Sequence, residues 1–507
     1  MITSKKMLVE SGPHETRVAI LEHERLTELF IERHHQKGIV GNIYKGRVSR
    51  VLPGMQAAFV DIGVDRDAFL YVSEVLDSKE PYEDLSMDEE DDRDEVDDEV
   101  QEALPPVEKS IDQLLRQGQE VVVQVLKDAM PNKGARVSTQ ITLPGRSLVL
   151  LPGVPHLGVS RRIEDEEQRE QIRARLEAVQ PPGYGLIART AGADASEDEL
   201  RADLAYLLRL QERLEARAQT VSAPTLLHRD LDVALRVIRD ELNEEFSTVW
   251  VEGEETHRRV VEFVEQIKPS MVQRIRLDEE GPGLFGRFDL EREIEAALDT
   301  KVWLKSGGHI VIHPTEALVS IDVNTGRYVG RHNLEDTVLT TNLEAVQEIV
   351  RQIRLRNLGG IIVIDLIDMV EESHREQVFV ALEAELAKDR SKNKVLEISE
   401  FGLVQLTRKR SRPSLERLLT SPCPYCRGTG RIRSLTTTAL ELRRRLLAAR
   451  SRFSEVEILL RAHPDLAQSL QREERPILDE LETELRSTIL IQSDSDMHRE
   501  RFDFSEL

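Results

Sequence analysis

The chain has 507 residues, of which 40 % are hydrophobic and 32 % are charged, and its formal net charge is −24. At roughly 100–200 residues per domain, this length predicts three to five structural units. No apolar stretch approaches the roughly 18 residues that cross a membrane. The charged N-terminus carries no secretory signal, so we expect a cytoplasmic protein without a membrane span.

The negative charge is concentrated in one segment. Residues 76–110 hold 16 acidic and three basic residues, so the rest of the chain carries −11 of the total. A run of like charge cannot bury apolar surface, and we expect this segment to be a disordered insertion. The net charge disfavours non-specific duplex binding but leaves room for a focused nucleic-acid channel.

The elements on either side of this insertion predict one small β-barrel. Residues 41–75 alternate apolar and polar side chains, with turns at Pro53-Gly54 and Gly63, which indicates short strands. The strand pattern resumes at residues 119–126. An insertion between strands of one barrel explains this order better than two domains would.

The rest of the chain mixes strands and helices. Residues 140–192 combine strands with glycines, and residues 195–247 are predicted to be largely helical, with a long helix over 197–218. For residues 298–403 we predict strand 317–321, a helix at about 342–356 stopped by Gly359-Gly360, strand 361–365, helix 372–389 and strand 395–399. This order is typical of an α/β domain with a largely parallel sheet. The tail, 434–507, predicts two helices and a strand at 488–491.

Two carboxylates follow neighbouring strands of this α/β region. Asp322 comes directly after ALVSI, Asp365 ends IIVID, and Asn324 lies two residues beyond Asp322. Open α/β sheets bind ligands at the carboxyl ends of their strands. Two carboxylates and one amide there suit Mg²⁺, which can polarise a phosphoryl oxygen and activate water. The alternative from spacing alone is that these acids cap helices or pair with arginines.

The chain has two cysteines, Cys423 and Cys426, in the segment SPCPYCRGTGRI. A structural zinc site needs four ligands, and this motif supplies two. If zinc binds here, two chains must each donate a pair. A thioredoxin-like redox pair and two buried thiols are the alternatives, although the flanking prolines and glycines do not fit a motif that opens a helix.

Other candidates carry weaker signals. Phe59 and Phe69 lie in the predicted barrel, where exposed rings stack on unpaired bases, or they fill the barrel core. The segments 143–150 and 188–192 and the pair Arg161-Arg162 offer amides, arginines and a hydroxyl that can cradle a phosphate. Solvated surface arginines are the alternative.

Together these residues resemble the ribonuclease E/G family over nearly the whole chain except the acidic insert. The resemblance rests on the stretches GNIYKGRV…AAFVDIG, PTEALVSIDVNTG, TNLEAVQEIVRQIRLRNLGGIIVIDLIDM and CPYCRGTG. The tail extends only about 80 residues beyond the CPYC motif, which is more similar to the shorter members of the family.

The resemblance implies roles for individual residues. Asp322 and Asp365 match the family's magnesium ligands, and Asn324 matches the asparagine that orients the catalytic centre. Cys423 and Cys426 match a zinc link in which two protomers share one ion, so we expect a homo-oligomer, a dimer or a tetramer. The remaining matches concern RNA contact and sensing of a 5′-monophosphate: Phe59, Phe69, Lys127, Lys133 and Arg161 for RNA, and Gly145, Val149, Arg189 and Thr190 for the 5′ end.

The resemblance also implies a multidomain fold that is α/β and α+β. In chain order we expect a ribonuclease H-like part (1–38), an S1 (OB-fold) barrel (39–139, with the insert at 76–110), a 5′-phosphate sensor (140–234), a second ribonuclease H-like part (235–297), a DNase I-like catalytic domain (298–419), a zinc link (420–432) and a small C-terminal domain (433–507). Lys392 departs from the family's usual arginine and loses its bidentate fork.

The expected function is that of a Mg²⁺-dependent endoribonuclease for single-stranded RNA. The resemblance implies 5′-phosphate products, stimulation by a 5′-monophosphate, and work in rRNA maturation and mRNA decay. A non-catalytic RNA-binding scaffold is the alternative from another class, and a nuclease that prefers DNA is a second enzyme alternative. A pure binder has no need of the Asp322/Asn324/Asp365 set, and the barrel favours RNA.

Overall fold

The computed structural model describes residues 5–75, 110–129, 133–160, 163, 165–193, 195–280, 283–325, 334–399, 401–410, 412–453 and 455–507. The chain forms two compact units, Met1–Leu418 and Leu419–Leu507. The acidic segment expected to be disordered lies outside the described residues except for Ser110. Within the described ranges, no helix combines the length and apolarity of a membrane span.

A barrel is closed by strands from both sides of the acidic segment. Its elements follow three N-terminal strands, β1 (Lys5–Ser11), β2 (Glu15–Glu22) and β3 (Arg25–Arg33), and they are β4 (Ile43–Leu52), β5 (Ala57–Asp61), β6 (Ala68–Tyr71), α1 (Ile111–Leu114), β7 (Glu120–Lys127) and β8 (Arg136–Ser138). The pairing order β4-β5-β6-β8-β7 returns to β4. The prediction of one barrel around the insertion is therefore confirmed.

A four-stranded sheet with two long helices comes next. Its elements are β9 (Leu143–Pro144), β10 (Leu148–Pro152), β11 (Leu157–Val159), α2 (Glu166–Val179), β12 (Tyr184–Ala188) and α3 (Glu197–Thr220), with strand order β11-β12-β10-β9. Helix α3 confirms the predicted long helix. It begins at a capping box in which the side chains of Ser196 and Glu199 each accept a hydrogen bond from the other's backbone N–H, as this pair of residues favours.

The N-terminal strands share a sheet with later parts of the chain. The next elements are β13 (Thr225–His228), α4 (Val233–Glu241), β14 (Phe246–Glu252), α5 (Glu254–Ile267), β15 (Ile275–Asp278), α6 (Leu284–Arg287) and α7 (Leu290–Ala296). Strand β14 pairs in parallel with β1, which gives the order β15-β14-β1-β2-β3. Strand β13 extends the barrel sheet beside β4, within a stretch that we predicted to be largely helical.

The sheet that carries the candidate carboxylates has six strands. The elements are β16 (Lys301–Trp303), β17 (His309–Pro314), β18 (Leu318–Asn324), α8 (Leu334–Leu355), β19 (Gly360–Asp365), α9 (Glu372–Leu386), β20 (Asn393–Val395), β21 (Leu403–Arg408) and α10 (Leu415–Leu419). The strand order is β16-β17-β18-β19-β21-β20. Buried apolar residues of one sheet face form a single core with α8 and α9.

The prediction of a largely parallel sheet is wrong. Among the described strands of this sheet, only β18 and β19 are parallel, while β16, β17 and β18 form antiparallel hairpins and β21 runs antiparallel to β19. Short turns can join only antiparallel neighbours, and the turns between β16, β17 and β18 are short. The predicted strand 395–399 is also wrong beyond Val395. Helix α8 begins eight residues earlier than predicted and ends at Leu355, before Asn357 in left-handed conformation at φ 47°.

The second unit is a small sheet covered by helices. Its elements are α11 (Leu435–Ala448), α12 (Arg450–Phe453), β22 (Ile458–Ala462), α13 (Pro464–Gln471), α14 (Arg475–Leu485), β23 (Ile489–Ser493) and β24 (Phe502–Glu506). Strand β22 pairs in parallel with β23 and antiparallel with β24. The predicted strand at 488–491 is present as β23, whereas β22, β24 and two of the helices were not predicted.

Candidate functional site

The two carboxylates lie side by side on adjacent strands. Asp322 of β18 is directly opposite Asp365 of β19 in the parallel register, and neighbouring strands are about 4.8 Å apart. The Asn324 Nδ2 donates a hydrogen bond to Asp322 Oδ2 at 2.7 Å. Both carboxylates are exposed on the sheet face that α8 and α9 leave open. The structure thus brings together the three residues that the sequence selected.

This arrangement fits a hard cation. Partial burial and the negative charges of Asp322 and Asp368 raise the pKa of Asp365, which is the effect expected of carboxylates that share a site. A cation between them would relieve this repulsion. Among the described residues, no group of three or more His, Cys, Asp or Glu side chains could hold a metal. Two carboxylates with water and substrate phosphate complete a Mg²⁺ shell.

Asn342 fixes the chain directly after Asp365. This side chain is fully buried in α8. Its Nδ2 donates to the Ile367 carbonyl at 2.8 Å, and its Oδ1 accepts from the Ile367 N–H at 3.1 Å. We did not predict this residue from the sequence. An asparagine on the apolar face of a helix is a signal that could have found it, since buried polar groups require partners.

A hairpin beside the carboxylates presents an aromatic and basic cluster. Strands β16 and β17 place Trp303 opposite His309, and β17 places His309 opposite Asn324. The Lys301 Nζ lies 4.1 Å from the Trp303 ring centroid, and the Trp303 and His309 ring centroids are 5.3 Å apart. Partial burial and the Lys301 charge lower the pKa of His309. We did not predict this cluster, because Lys301 and Trp303 lie on a strand that we did not predict and only its pairing with β17 adds His309.

The barrel aromatics lie outside the barrel core. Phe59 and Phe69 are half-buried and directly opposite each other on β5 and β6, with ring centroids 5.2 Å apart. The core is built from other residues of these strands, such as Ala58 and Leu70. Tyr71 continues the row at 4.6 Å from Phe69. We missed Tyr71, although its two-residue spacing from Phe69 places both side chains on one strand face.

Cationic side chains surround this aromatic row. The Arg50 guanidinium lies 6.0 Å from the Phe59 ring centroid, and that of Arg136 lies 4.9 Å from the Tyr71 centroid. Lys127 pairs with Arg136 in the barrel register, and both line a cleft of about 1980 Å³. Lys133 is exposed. Arg161 lies outside the described residues, so its predicted place beside the RNA path stays a prediction.

The four residues predicted to sense a 5′-phosphate lie close together in the chain's second sheet. Arg189 donates to the Gly145 carbonyl at 2.7 Å, and the hydroxyls of Thr190 and Ser160 are 3.2 Å apart. Val149 is buried in β10. Val149, Arg189 and Thr190 line the same cleft as Lys127. Asp322 and Asp365 are not among the residues that line it.

Two aspartates that we missed organise this region. The buried Asp203 carboxylate accepts hydrogen bonds from the backbone N–H groups of Arg146, Ser147 and Leu148 at 2.7–3.1 Å, and burial raises its pKa. Asp240 accepts from Arg189 at 2.6 Å. Burial raises the pKa of Asp240, but the neighbouring arginines more than offset this, so its pKa is lowered. Nothing in their spacing pointed to these contacts.

The cysteine pair lies in a turn of the second unit. Cys423 is exposed, and Cys426 Sγ accepts a hydrogen bond from the Gly430 N–H at 3.3 Å. Backbone N–H groups of Cys426 and Tyr425 lower the pKa of the Cys423 thiol. His498 Nε2 donates to the Tyr425 carbonyl at 2.7 Å and holds the turn in place. Helix α11 begins only at Leu435, so the pair does not open a helix.

Comparisons with known proteins cover both units. Residues 142–411 match the family model described as ribonuclease E/G family, and residues 422–507 match the model described as RNase E/G, thioredoxin-like domain. The second match covers the cysteine turn and the small sheet.

Curated relatives align along the whole chain. Ribonuclease G of Escherichia coli (strain K12) is 42 % identical over 498 residues, which cover 98 % of this chain and 99 % of that relative. Ribonuclease G of Haemophilus influenzae is 39 % identical over 499 residues, 98 % of each chain. Ribonuclease E of E. coli K12 is 35 % identical over 484 residues, which are 94 % of this chain and 44 % of that relative. With a family model over residues 142–411 and relatives that align from end to end, this chain belongs to the ribonuclease E/G family.

Proposed function

We propose that this chain is a Mg²⁺-dependent endoribonuclease that cleaves single-stranded RNA at the Asp322/Asp365 pair. The observation that carries the proposal is the direct register of these two carboxylates on the open face of the sheet. Membership of a ribonuclease family over the full length supports it.

The side chains at the site have different roles in this proposal. Asp322 and Asp365 would hold the cation, which when bound polarises the scissile phosphate and lowers the pKa of water. Asn324 restrains the Asp322 carboxylate through its 2.7 Å hydrogen bond. Asn342 fixes the backbone at Ile367 and so limits movement of the Asp365 strand end. In-line attack of water would leave a 5′-phosphate and a 3′-hydroxyl.

The barrel supplies an RNA-binding surface in this proposal. Phe59, Phe69 and Tyr71 form an edge-to-face row whose π surfaces can stack on unpaired bases. Each stacked base contributes about 1–3 kcal/mol to binding. The nearby Lys127 and Arg136 can contact phosphates. We assign this barrel as the S1 domain, with Lys133 and Arg161 along the same RNA path.

The cleft residues would recognise the 5′ end of the RNA. Arg189 and the Thr190 hydroxyl line the cleft with Arg146, and guanidinium and hydroxyl donors suit a terminal phosphate. The Asp203 carboxylate holds the loop after Gly145 in shape. A 5′-monophosphate would thereby be favoured over a 5′-hydroxyl.

The same proposal includes the identity of the remaining domains and the role of the cysteines. The β15-β14-β1-β2-β3 sheet corresponds to the ribonuclease H-like unit, and the sheet of β16–β21 to the DNase I-like catalytic domain. Cys423 and Cys426 form half of a zinc site shared with a second copy. The proposed roles are rRNA maturation and mRNA decay.

The deciding experiment compares the chain with its Asp322→Asn variant on a 5′-monophosphorylated, A/U-rich single-stranded RNA, with Mg²⁺ and with EDTA. We expect internal cleavage that requires Mg²⁺, and loss of at least about 100-fold in rate in the variant because a metal ligand loses its charge. RNA affinity should be largely retained. Glu316→Gln makes the equivalent change at an exposed residue just before β18, and this variant should cleave normally.

Two results would reject the assignment. Cleavage by Asp322→Asn at the normal rate would show that the site lies elsewhere. Tight RNA binding by the unaltered chain without cleavage would favour the non-catalytic scaffold. DNA of the same sequence, assayed in parallel, separates a ribonuclease from a nuclease that prefers DNA.

A further inference from the structure

An exposed tryptophan stands on the open face of the catalytic sheet. Trp303 is one of two tryptophans in the chain and is 65 % exposed. A large aromatic ring exposed to this extent loses the stabilisation that burial would give, and such rings frequently mark binding sites. Trp303 has no role in the site described so far.

Strand register ties this ring to the catalytic residues. Trp303 is opposite His309, which is opposite Asn324. Residues opposite one another project from the same face of a sheet, and strands are about 4.8 Å apart. Trp303 therefore lies two strands, or roughly 10 Å, from Asn324. The next row along the same face joins Lys301, Val311, Asp322 and Asp365 in the same way.

The surroundings of the ring are polar and basic. The Lys301 ammonium lies 4.1 Å from the ring centroid, and the His309 ring is tilted by 52° against it. The His309 Nδ1 is buried and has no hydrogen-bond partner among the described residues. An aromatic ring with a cation and an unused imidazole nitrogen suits a nucleotide, which has a π face, polar edges and a phosphate.

The hairpin is held firmly against the site. The Glu344 carboxylate of α8 accepts hydrogen bonds from the backbone N–H groups of Lys305 and Ser306 at 2.6–3.3 Å. A Cβ at Gly308 would come within 2.8 Å of the Asn324 carbonyl oxygen, so the turn packs directly on the catalytic strand. Trp303 and His309 are consequently preorganised relative to Asn324, which lowers the entropy cost of binding a flexible strand.

We propose that Trp303, with Lys301 and His309, forms a nucleobase-stacking subsite for a nucleotide that flanks the scissile phosphate. This inference rests on the proposed function, since it needs an RNA strand at Asp322 and Asp365. Trp303 positions the substrate and does not take part in the bond cleavage. The ring contacts Lys301 and His309, and these polar neighbours do not form the broad apolar surface that a stable protein–protein contact needs, so RNA is the favoured occupant.

The first test measures affinity for a short single-stranded RNA in the full-length Asp322→Asn background, which prevents cleavage. We expect Trp303→Ala to raise the Kd roughly 5- to 150-fold, the factor that corresponds to loss of one stacked base. Trp303→Phe should restore most of the affinity, because it keeps a π face. Trp303→Leu should not, although it keeps apolar bulk. Ile361→Ala, on the same face and 51 % exposed, should bind like the background protein.

Two further readouts report on stacking directly. RNA should quench the tryptophan fluorescence of the background protein, and this quenching should be lost in Trp303→Phe while binding remains. An RNA with one abasic nucleotide at the position that flanks the cleavage site should bind more weakly to the background protein, but equally to Trp303→Ala.

The outcomes separate this inference from the proposed function. If the unaltered chain does not cleave RNA, the proposed function fails first. If it cleaves, and Trp303→Ala and Trp303→Leu bind RNA normally, only the stacking subsite is overturned. A lower mass by light scattering in Trp303→Ala, with unchanged RNA affinity, would overturn it in favour of contact between copies of the chain.

Discussion

Arg189 shows how one side chain can serve the fold and still be available to a ligand. Its guanidinium donates to the Gly145 carbonyl and to Asp240. Asp240 also receives two hydrogen bonds from Arg239 at 2.9 and 3.0 Å. A buried carboxylate left without a partner strongly destabilises a protein. Removing Arg189 does not create one, because Asp240 keeps its hydrogen bonds from Arg239.

We predict that Arg189→Ala removes the preference for a 5′-monophosphate. The measurement is the ratio of cleavage rates on 5′-monophosphorylated and 5′-hydroxyl forms of one RNA, and this ratio should fall to about one. The monophosphorylated RNA should be cleaved more slowly, because a charge-assisted contact to its phosphate is lost. Arg201→Ala removes an equal charge from the exposed face of α3 and should keep the ratio. A ratio that persists in Arg189→Ala would place the sensor elsewhere.

Residue chemistry and spacing identified the Asp322, Asn324 and Asp365 set, because an apolar run followed by a polar residue indicates where a strand ends. The same approach could not find Trp303, His309 or Asp203. Trp303 and its partner Lys301 lie on β16, a strand that we did not predict. His309 is placed beside Asn324 by strand pairing, and Asp203 meets the loop of residues 146–148 where a helix crosses a sheet. Residue type alone does not encode which strands become neighbours.

At the level of elements, the C-terminal end of α4 carries a carboxylate in an unfavourable setting. Burial and the nearby Glu28 raise the pKa of Glu241 to about 7, although the Arg390 charge opposes this shift. The Arg390 Nη1 lies 3.1 Å from the Glu241 carboxylate. Since the folded chain prefers the protonated form, Glu241 favours folding fully below about pH 4.5. This contribution is lost as pH rises to about 7.

We predict that Glu241→Gln melts at a higher temperature than the unaltered chain at pH 8, and that this gain shrinks toward pH 5. The difference in stability between the two pH values should reach at most about 3 kcal/mol, from 1.36 kcal/mol per pKa unit. Glu255→Gln on the exposed face of α5 controls for loss of a carboxylate. A gain for Glu241→Gln that is the same at both pH values would contradict the prediction.

Elements were predictable where one periodicity dominates. The alternating pattern around β4–β6 and the long helical pattern over 197–218 predicted the correct type of element, and closure of the barrel followed from the resumed strand pattern. Strands β16, β17 and β21 were not predicted. The largely parallel sheet was also wrong, because an apolar run shows that a strand is buried but does not show which neighbour it pairs with. In the tail, β22, β24 and two helices were missed because short apolar runs do not distinguish a strand from a helix.

At the scale of the whole molecule, the cysteine turn limits how zinc can be held. Within the described residues, Cys423 and Cys426 have no further His, Cys, Asp or Glu near enough to complete a metal site. A tetrahedral zinc site needs four ligands, so the proposed zinc site would require a second copy to supply the other two. The exposed Cys423 and the turn fixed by Tyr425 and His498 suit such a shared site.

We predict that Cys423→Ser releases zinc and at least halves the mass of the assembly in light scattering. Cys426→Ser should behave identically, and Ser421→Ala in the same segment should keep both zinc and mass. Full mass in the cysteine variants would show that another surface joins the copies.

The sequence by itself determined the family, the acidic segment, the barrel, the long helices and the three candidate residues at adjacent strand ends. These depend on local patterns and on residue types whose chemistry is specific. Tertiary structure decided that Asp322 and Asp365 are direct neighbours, that the phenylalanines lie outside the barrel core, and that Trp303 faces the same side as the carboxylates. Strand order and register set these relations, and they depend on the packing of distant segments.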